Sequence, residues 1–131
     1  MNQEIDVLSN LYEFNNPIKL NGLYFHSVEC AYQYHKFFVW QTLYPNSINV
    51  DGFELLTPSE AIYMSQANKI PEDVLDIFMN QRDSLLVGLL YRKFIYNPEL
   101  LEVLLESSIS EDNDHLLYVQ QQLKARYGNK N

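Results

Sequence analysis

Three polar residues, Glu29, Gln33 and Lys36, recur at helical spacing inside an apolar run. The run from Ser27 to Trp40 predicts one helix of about four turns. At 100° per residue, the three polar residues and Trp40 share one narrow sector, and most of the remaining surface is apolar. A carboxylate, an amide and an ammonium along one line of a buried helix need a partner. A ligand in a cavity would provide one.

Two interpretations of this stripe stay open. Glu29 and Lys36 either face a ligand in a pocket or lie on the solvated side of an ordinary amphipathic helix. They are about two turns apart, which is farther than the usual i,i+4 ion pair, so the spacing slightly favours a ligand between them.

Further residues are candidates for substrate binding. Ser9 and Asn10 interrupt a short apolar segment and can either hold a turn or contact a ligand. The aromatic content of 14% suits a cleft whose rings stack on a nucleobase, although most of the rings are expected to fill the core. We expect Tyr24 at the rim of the pocket, with Tyr32 and Trp40 as the rings that the predicted helix would contribute.

The elements before the predicted helix position its first turn. Two short alternating runs over residues 18–25 are joined by Asn21-Gly22, which supplies the positive φ angles of a type I′ turn and predicts a β-hairpin. The hairpin leads into Ser27, a good N-cap, and so places Glu29 in the first helical turn, where the macrodipole favours a carboxylate.

The sequence pattern predicts that the rest of the chain is mainly helical. Residues 42–56 predict a loop that holds at most a short strand and is a candidate lid. Thr57, Pro58 and Glu60 form a capping box that opens a helix to about Asn68.

A helical pattern then runs from Pro71 to Phe94. Gly88 is expected to allow close packing within it. Lys93 falls on its apolar face and either snorkels to solvent or reaches a pocket.

Two more helices complete the predicted fold. One is capped by Asn97-Pro98 and runs through Leu105, and a last one ends near Gly128. We therefore predict a single domain over residues 1–131, of the α+β class and mostly helical, with the small hairpin at one side of a central Ser27 helix.

Composition limits the function classes. A net charge of −8 and a pI near 4.7 make binding to extended duplex nucleic acid improbable, although one or two basic groups suffice for a small phosphorylated ligand. The single cysteine, Cys30, excludes an internal disulfide and a cysteine-based zinc site, and we expect it to be a buried, inert thiol. We see neither a signal peptide nor a membrane span, and we expect a cytoplasmic protein.

An ordered set of short motifs resembles the NADAR family, named for its association with NAD and ADP-ribose chemistry. The resemblance covers roughly residues 8–105. The motifs are Leu8-Ser9-Asn10, Asn21-Gly22, Val28-Glu29-Cys30-Ala31-Tyr32-Gln33-Tyr34-His35-Lys36, Thr57-Pro58-Ser59-Glu60-Ala61, Met79, Lys93-Phe94 and Asn97-Pro98-Glu99-Leu100.

The resemblance implies a NADAR-like fold and an N-glycosidase that cleaves ribosyl-nitrogen bonds without a metal or cofactor. In this chain Glu29 would match the acidic residue of the family's active-site helix, and Lys36 would match the lysine that closes the motif. The carboxylate would stabilise positive charge at the anomeric carbon. The amine would act as a nucleophile that forms a Schiff base, or as an acid. Lys93 would contact a phosphate of the substrate.

This chain departs from the family in two places. The position before Met79 that usually holds a tryptophan has Val74 and Leu75, and the usual Trp-Gly segment is missing after Leu105. Part of a base-stacking wall, and an acidic partner with it, would therefore be absent or replaced. Asp112, Asp114 and His115 are replacement candidates, although acidic loop residues are more often solvated than catalytic.

Three functions compete. The first is an N-glycosidase acting on an ADP-ribosylated or phosphoribosylamino substrate. The second is a catalytically reduced protein that binds an ADP-ribose-like nucleotide, which the missing tryptophans favour. The third is a small acidic protein-interaction module on the same fold. The sequence indicates neither the exact substrate nor the oligomeric state.

Overall fold

The computed structural model describes residues 6–128, and these are mostly helical with one two-stranded antiparallel sheet. The helical content and the small hairpin agree with the predicted α+β class. The two ends of the predicted single domain, residues 1–5 and 129–131, lie outside the described residues. The expectation that the N-terminus contains no signal peptide falls on residues 1–5 and therefore also lies outside them. In chain order the strands and α-helices are β1 (Ile18–Leu20), β2 (Leu23–Phe25), α1 (Val28–Leu43), α2 (Pro58–Ala67), α3 (Glu72–Tyr96), α4 (Pro98–Glu106) and α5 (Asp114–Leu123).

The predicted hairpin is confirmed. Its strands pair with Leu20 opposite Leu23, which leaves a two-residue loop. The loop residues have φ angles of 51° at Asn21 and 84° at Gly22, as a type I′ turn requires. Phe25, at the end of β2, is fully buried, so the hairpin is fixed to the core where the chain enters α1.

Helix α1 lies at the centre of the packing, against α2 and α3. Ser27 caps it as predicted, since its hydroxyl accepts a hydrogen bond from the backbone N–H of Cys30 at 3.1 Å. Apolar side chains on several sides of the helix are buried, as an almost uniformly apolar helix predicts. The polar stripe is not a solvated face, because Gln33 is buried and Glu29 and Lys36 are partly buried.

The connection from α1 to α2 contains no strand. Its only regular element is a short 3₁₀ turn, Phe53–Leu55, which inserts the buried Phe53 under α1. The predicted capping box at the start of α2 is confirmed. The Thr57 hydroxyl accepts from the N–H of Glu60 at 3.2 Å, and the Glu60 carboxylate accepts from the N–H of Thr57 at 2.9 Å.

Helix α3 is continuous over 25 residues. The expectation that Gly88 permits close packing is wrong. A β-carbon at this position would meet no heavy atom within 4 Å beyond the backbone of its own helix, so no neighbouring element approaches the helix there. The glycine is tolerated because its isolated cost in a helix, about 1 kcal/mol, is small beside the apolar burial of the same helix.

Asn97 and Pro98 begin α4 as predicted, with Asn97 at the N-cap position, but the Asn97 side chain does not cap the helix. No cap hydrogen bond forms, and the fully buried amide instead donates to the carbonyls of Lys93 at 2.8 Å and Asn16 at 3.1 Å. Its oxygen accepts from the N–H of Asn16 at 3.0 Å. Asn97 therefore ties the segment before β1 to the end of α3, and Pro98 starts α4 without a side-chain cap.

Cys30 is buried as predicted, and its thiol donates to the carbonyl of Phe53 at 3.3 Å. Burial, assisted by the carboxylates of Glu54, Glu13, Glu29 and Glu60, raises the pKa of Cys30 to about 12. The reactive thiolate is therefore suppressed at neutral pH.

Within residues 6–128, none of the helices has the length and apolar character that crossing a bilayer demands.

Candidate functional site

The carboxylate of Glu29 lies at a cavity of about 640 Å³. The walls come from residues 8–11, the first turn of α1, Ile62 of α2 and residues 108–110 before α5. The backbone N–H of Glu29 donates to the carbonyl of Asn10 at 3.0 Å, which fixes the N-terminal segment against the start of α1. A cavity of this size is in the range of small-molecule sites.

Gln33 holds the Glu29 side chain in place. Its amide nitrogen donates to Glu29 Oε2 at 2.7 Å. A carboxylate only accepts hydrogen bonds, so this contact requires the nitrogen of Gln33, and not its oxygen, to face Glu29. The amide oxygen of Gln33 is buried and receives no hydrogen bond from the described residues. Gln33 thus orients the Glu29 carboxylate through its amide nitrogen, while its own amide oxygen stays without a hydrogen bond among the described residues.

Lys36 lies farther along the same stripe, between α1, α2 and α3. Its ammonium donates to Ser65 Oγ at 3.2 Å and sits 5.4 Å and 5.5 Å from the ring centroids of Tyr32 and Phe78. Burial lowers the pKa of Lys36, and Arg82 lowers it further, while the Glu29 carboxylate opposes the shift. The ion pairs found among residues 6–128 do not include Lys36. A larger fraction of neutral amine is therefore present than at an exposed lysine.

Arg82 is the basic residue that the sequence reasoning missed. Its Nε donates to the hydroxyl of Tyr32 at 3.1 Å. The side chain lines a second cavity of about 450 Å³, which shares Asn10, Ser110 and Asn113 with the cavity at Glu29. One signal was available, because Arg82 is four residues from both Phe78 and Leu86 and so interrupts the apolar stripe of α3.

The three replacement candidates from the last loop, Asp112, Asp114 and His115, all line the second cavity. His115 is held between two carboxylates, with Nε2 at 2.8 Å from Asp83 and Nδ1 at 3.2 Å from Asp114. The side chains of Asp83 and Asp114 are 83% and 80% exposed, so water screens both charges. These contacts attach the start of α5 to α3 and close one side of the site.

Lys93 neither snorkels to solvent nor reaches a pocket, which were the two positions predicted for it. It does not snorkel, because it is fully buried, and it is not among the residues that line either cavity. Its ammonium donates to the carbonyl of Ser9 at 2.9 Å and lies 5.9 Å from the ring centroid of Tyr12. A direct phosphate contact requires an accessible ammonium, so the phosphate role expected for Lys93 does not fit. Lys93 instead supports the segment that forms one wall of the cavity.

This buried ammonium gives a pH-dependent prediction. Burial lowers the pKa of Lys93 from 10.5 to about 8, and Asp6 only partly opposes the shift. Between about pH 8 and 10.5 the folded protein has released this proton while the unfolded chain retains it, so the free energy of unfolding rises with pH. We expect Lys93→Met, which keeps the apolar stem, to lack this rise of up to about 3 kcal/mol.

Urea unfolding of both proteins at pH 7 and pH 10 measures the difference. Other titrating groups affect both proteins equally and cancel in the comparison. Parallel pH dependences would contradict the assignment of a buried, proton-releasing Lys93.

The other predicted binding residues separate into two groups. Ser9 and Asn10 line the cavity, and the Ser9 hydroxyl also accepts from the N–H of Leu11 at 3.0 Å, so it holds a turn as well. Tyr32 does not line either cavity, but its hydroxyl accepts a hydrogen bond from Arg82, which does. Tyr24 is 56% exposed on the hairpin, where its ring faces the Lys19 ammonium.

Trp40 stacks on Phe37 with ring centroids 6.0 Å apart, about three turns along α1 from Glu29. Neither Tyr24 nor Trp40 lines either cavity. Gln33 and Lys36 do not line them either, so Glu29 alone of the predicted polar stripe reaches a cavity wall. Both cavities also lack any Phe, Tyr or Trp side chain in their walls, so the expected aromatic cleft does not form there. The flat side chains that face the second cavity are those of Arg82 and His115.

Across residues 6–128, His, Cys, Asp and Glu side chains form no group of three suited to a metal ion.

Comparisons of this chain with models of known protein families, with curated proteins and with solved structures find no match. The resemblance to the NADAR family therefore stays a prediction from the sequence motifs.

Proposed function

We propose that this protein is an N-glycosidase that hydrolyses the ribosyl-nitrogen bond of an ADP-ribosylated or phosphoribosylamino substrate. One observation carries the proposal. The Glu29 carboxylate, oriented by a buried amide, faces a cavity of about 640 Å³, and a half-buried lysine of lowered pKa follows on the same helical stripe. A positioned carboxylate and a partly desolvated amine, here about two turns apart on one helix, are the two groups that glycosyl transfer from nitrogen requires.

Glu29 would act on the sugar. Breaking a ribosyl-nitrogen bond develops positive charge at the anomeric carbon, and a fixed carboxylate stabilises that charge. The hydrogen bond from Gln33 goes to Oε2, and Oε1 accepts no hydrogen bond from the described residues. The carboxylate therefore does not have to reorganise when the charge develops.

Lys36 would act as the nucleophile. Its neutral amine attacks the anomeric carbon as the carbon-nitrogen bond breaks, the bonding electrons go to the leaving nitrogen, and the proton released from the amine goes to the same nitrogen. The remaining proton of the amine then passes to the ring oxygen as the bond between that oxygen and the anomeric carbon breaks, and the sugar opens to an imine on Lys36. Water adds to the imine carbon and returns the free lysine and ribose. Alternatively, protonated Lys36 acts only as an acid toward the leaving nitrogen.

A second candidate function is a binding protein that holds an ADP-ribose-like nucleotide without cleaving it. The absence of Phe, Tyr and Trp from both cavity walls favours this alternative, because base stacking otherwise helps to orient the leaving group. It also agrees with the tryptophans missing from the NADAR-like motifs.

The experiment that tests the proposal is a screen for product release. We would incubate the protein with a panel of ADP-ribosyl and ribosylamino compounds and follow free base and free ribose species by mass spectrometry. We expect release from at least one compound, and loss of that release in a Glu29→Gln/Lys36→Ala double variant. Binding without release at every pH between about 5 and 9 would favour the binding protein.

A further inference from the structure

We propose that Arg82 binds the phosphate of the substrate, and that the site therefore selects ribosyl 5′-phosphate compounds over their unphosphorylated counterparts. The inference rests on the proposed function, because it assigns the phosphate end of the same substrate. Arg82 thereby takes the phosphate-binding role that the sequence motifs predicted for Lys93, whose ammonium is buried away from both cavities.

The geometry first shows that the guanidinium is oriented. Arg82 Nε donates to the Tyr32 hydroxyl at 3.1 Å, and Tyr32 packs edge-on against Phe78 with ring centroids 5.1 Å apart. A guanidinium held through Nε presents its two outer nitrogens in a fixed plane. Arg82 lines the cavity of about 450 Å³, which shares Asn10, Ser110 and Asn113 with the cavity at Glu29.

The two outer nitrogens make no hydrogen bond to the described residues, although Nη1 forms an ion pair with the exposed carboxylate of Asp83. Nη1 is 3.7 Å from Asp83 Oδ1, which is longer than a hydrogen bond. That same oxygen is taken by His115 at 2.8 Å, and the other contact of His115 goes to Asp114 at 3.2 Å. Among the described residues, Nε is the only nitrogen of Arg82 that makes a hydrogen bond. The outer pair therefore keeps its hydrogen-bonding capacity for bidentate recognition of a phosphate, in competition with the ion pair to Asp83.

The charge distribution restricts where an anion can bind. The protein has a net charge of −8, and Asp83, Asp112 and Asp114 also line the second cavity. Arg82 lies toward α1, where its charge already repels the Lys36 ammonium and helps to lower the pKa of Lys36. A phosphate is therefore attracted by Arg82 and repelled by the last loop, and the neighbouring Asp83, whose side chain is 83% exposed and screened by water, reduces the attraction only in part.

The test compares the binding of ribose 5-phosphate and ribose by titration calorimetry, which needs no turnover. We expect the unmodified protein to prefer ribose 5-phosphate, and Arg82→Gln to weaken ribose 5-phosphate binding at least about tenfold without affecting ribose. Tyr32→Phe retains the charge but not the contact that orients it, so it should weaken binding less. This variant also keeps the test valid if Arg82→Gln does not fold.

Arg92→Gln is the matched control. Arg92 lies on the same helix, and its guanidinium donates to the carbonyl of Lys19 at 3.2 Å, away from both cavities. Three results would overturn the inference: no preference for ribose 5-phosphate, an unchanged preference in both site variants, or an equal loss in Arg92→Gln. Phosphate-dependent binding without product release would reject the proposed hydrolysis but not the phosphate site.

Discussion

Replacing Glu29 by glutamine is expected to slow release of the leaving base by about 10²- to 10⁴-fold while ligand affinity changes little. Glutamine has nearly the same size and can still accept from Gln33, so the contact at 2.7 Å and the cavity shape should persist. The lost negative charge matters mainly in the transition state, where positive charge has developed on the sugar. Single-turnover rates and equilibrium binding, measured with one substrate, separate the two effects.

The control for this variant is Glu99→Gln. Glu99 is the acidic residue in the first turn of α4, as Glu29 is in the first turn of α1, so both substitutions remove a charge that favours a helix dipole. Glu99 lines neither cavity. An equal loss of rate in both variants, or an unchanged rate in Glu29→Gln, would remove Glu29 from the reaction.

Lys36→Ala is expected to abolish both turnover and covalent trapping if Lys36 is the nucleophile. Borohydride added during turnover reduces an imine, so it should fix the sugar on Lys36 and raise the mass of the peptide that contains this residue. Burial lowers the pKa of Lys36, with a further contribution from Arg82 that Glu29 opposes. The rate of trapping should therefore increase as the pH rises through this lowered pKa, because only the neutral amine attacks.

Two comparisons make the trapping result specific. Lys36→Arg keeps a positive charge but offers no amine, so it should neither trap sugar nor turn over substrate. Lys69→Ala removes an exposed lysine just after α2, and it should trap sugar at the normal rate. Turnover without any trapped sugar in the unmodified protein would exclude the Schiff base and leave Lys36 only the role of an acid.

Local signals predicted the elements that flank the site. Asn21-Gly22 specifies its turn through two positive φ angles. Thr57 and Glu60 specify a helix start through two hydrogen bonds between residues three positions apart. These features depend on neighbours a few residues away, so the sequence contains all the information that they need. Local signals also placed the start of α4 at Asn97-Pro98, but not the contacts of the buried Asn97 amide, because these join it to Asn16, a residue distant in sequence.

The site itself was only partly predictable for the same reason. The helical stripe identified Glu29 and Gln33, whose contact spans one turn of α1. In contrast, the contact between Lys93 and the carbonyl of Ser9 joins residues 84 positions apart, and Arg82 meets Tyr32 across 50 positions. Helical periodicity identified Lys93 as a cation on an apolar face, but it could not show which backbone carbonyl would cover it.

The most direct test of the central claim uses a ribosylamino substrate with one isotope label in the ribose and a different label in the leaving base. The protein is incubated with the compound at a concentration that saturates binding, and all small molecules are then identified by mass spectrometry. An N-glycosidase predicts that the two labels appear in separate molecules, at a rate that falls in Glu29→Gln. Two labels that stay in one molecule throughout, although the compound binds, would contradict it.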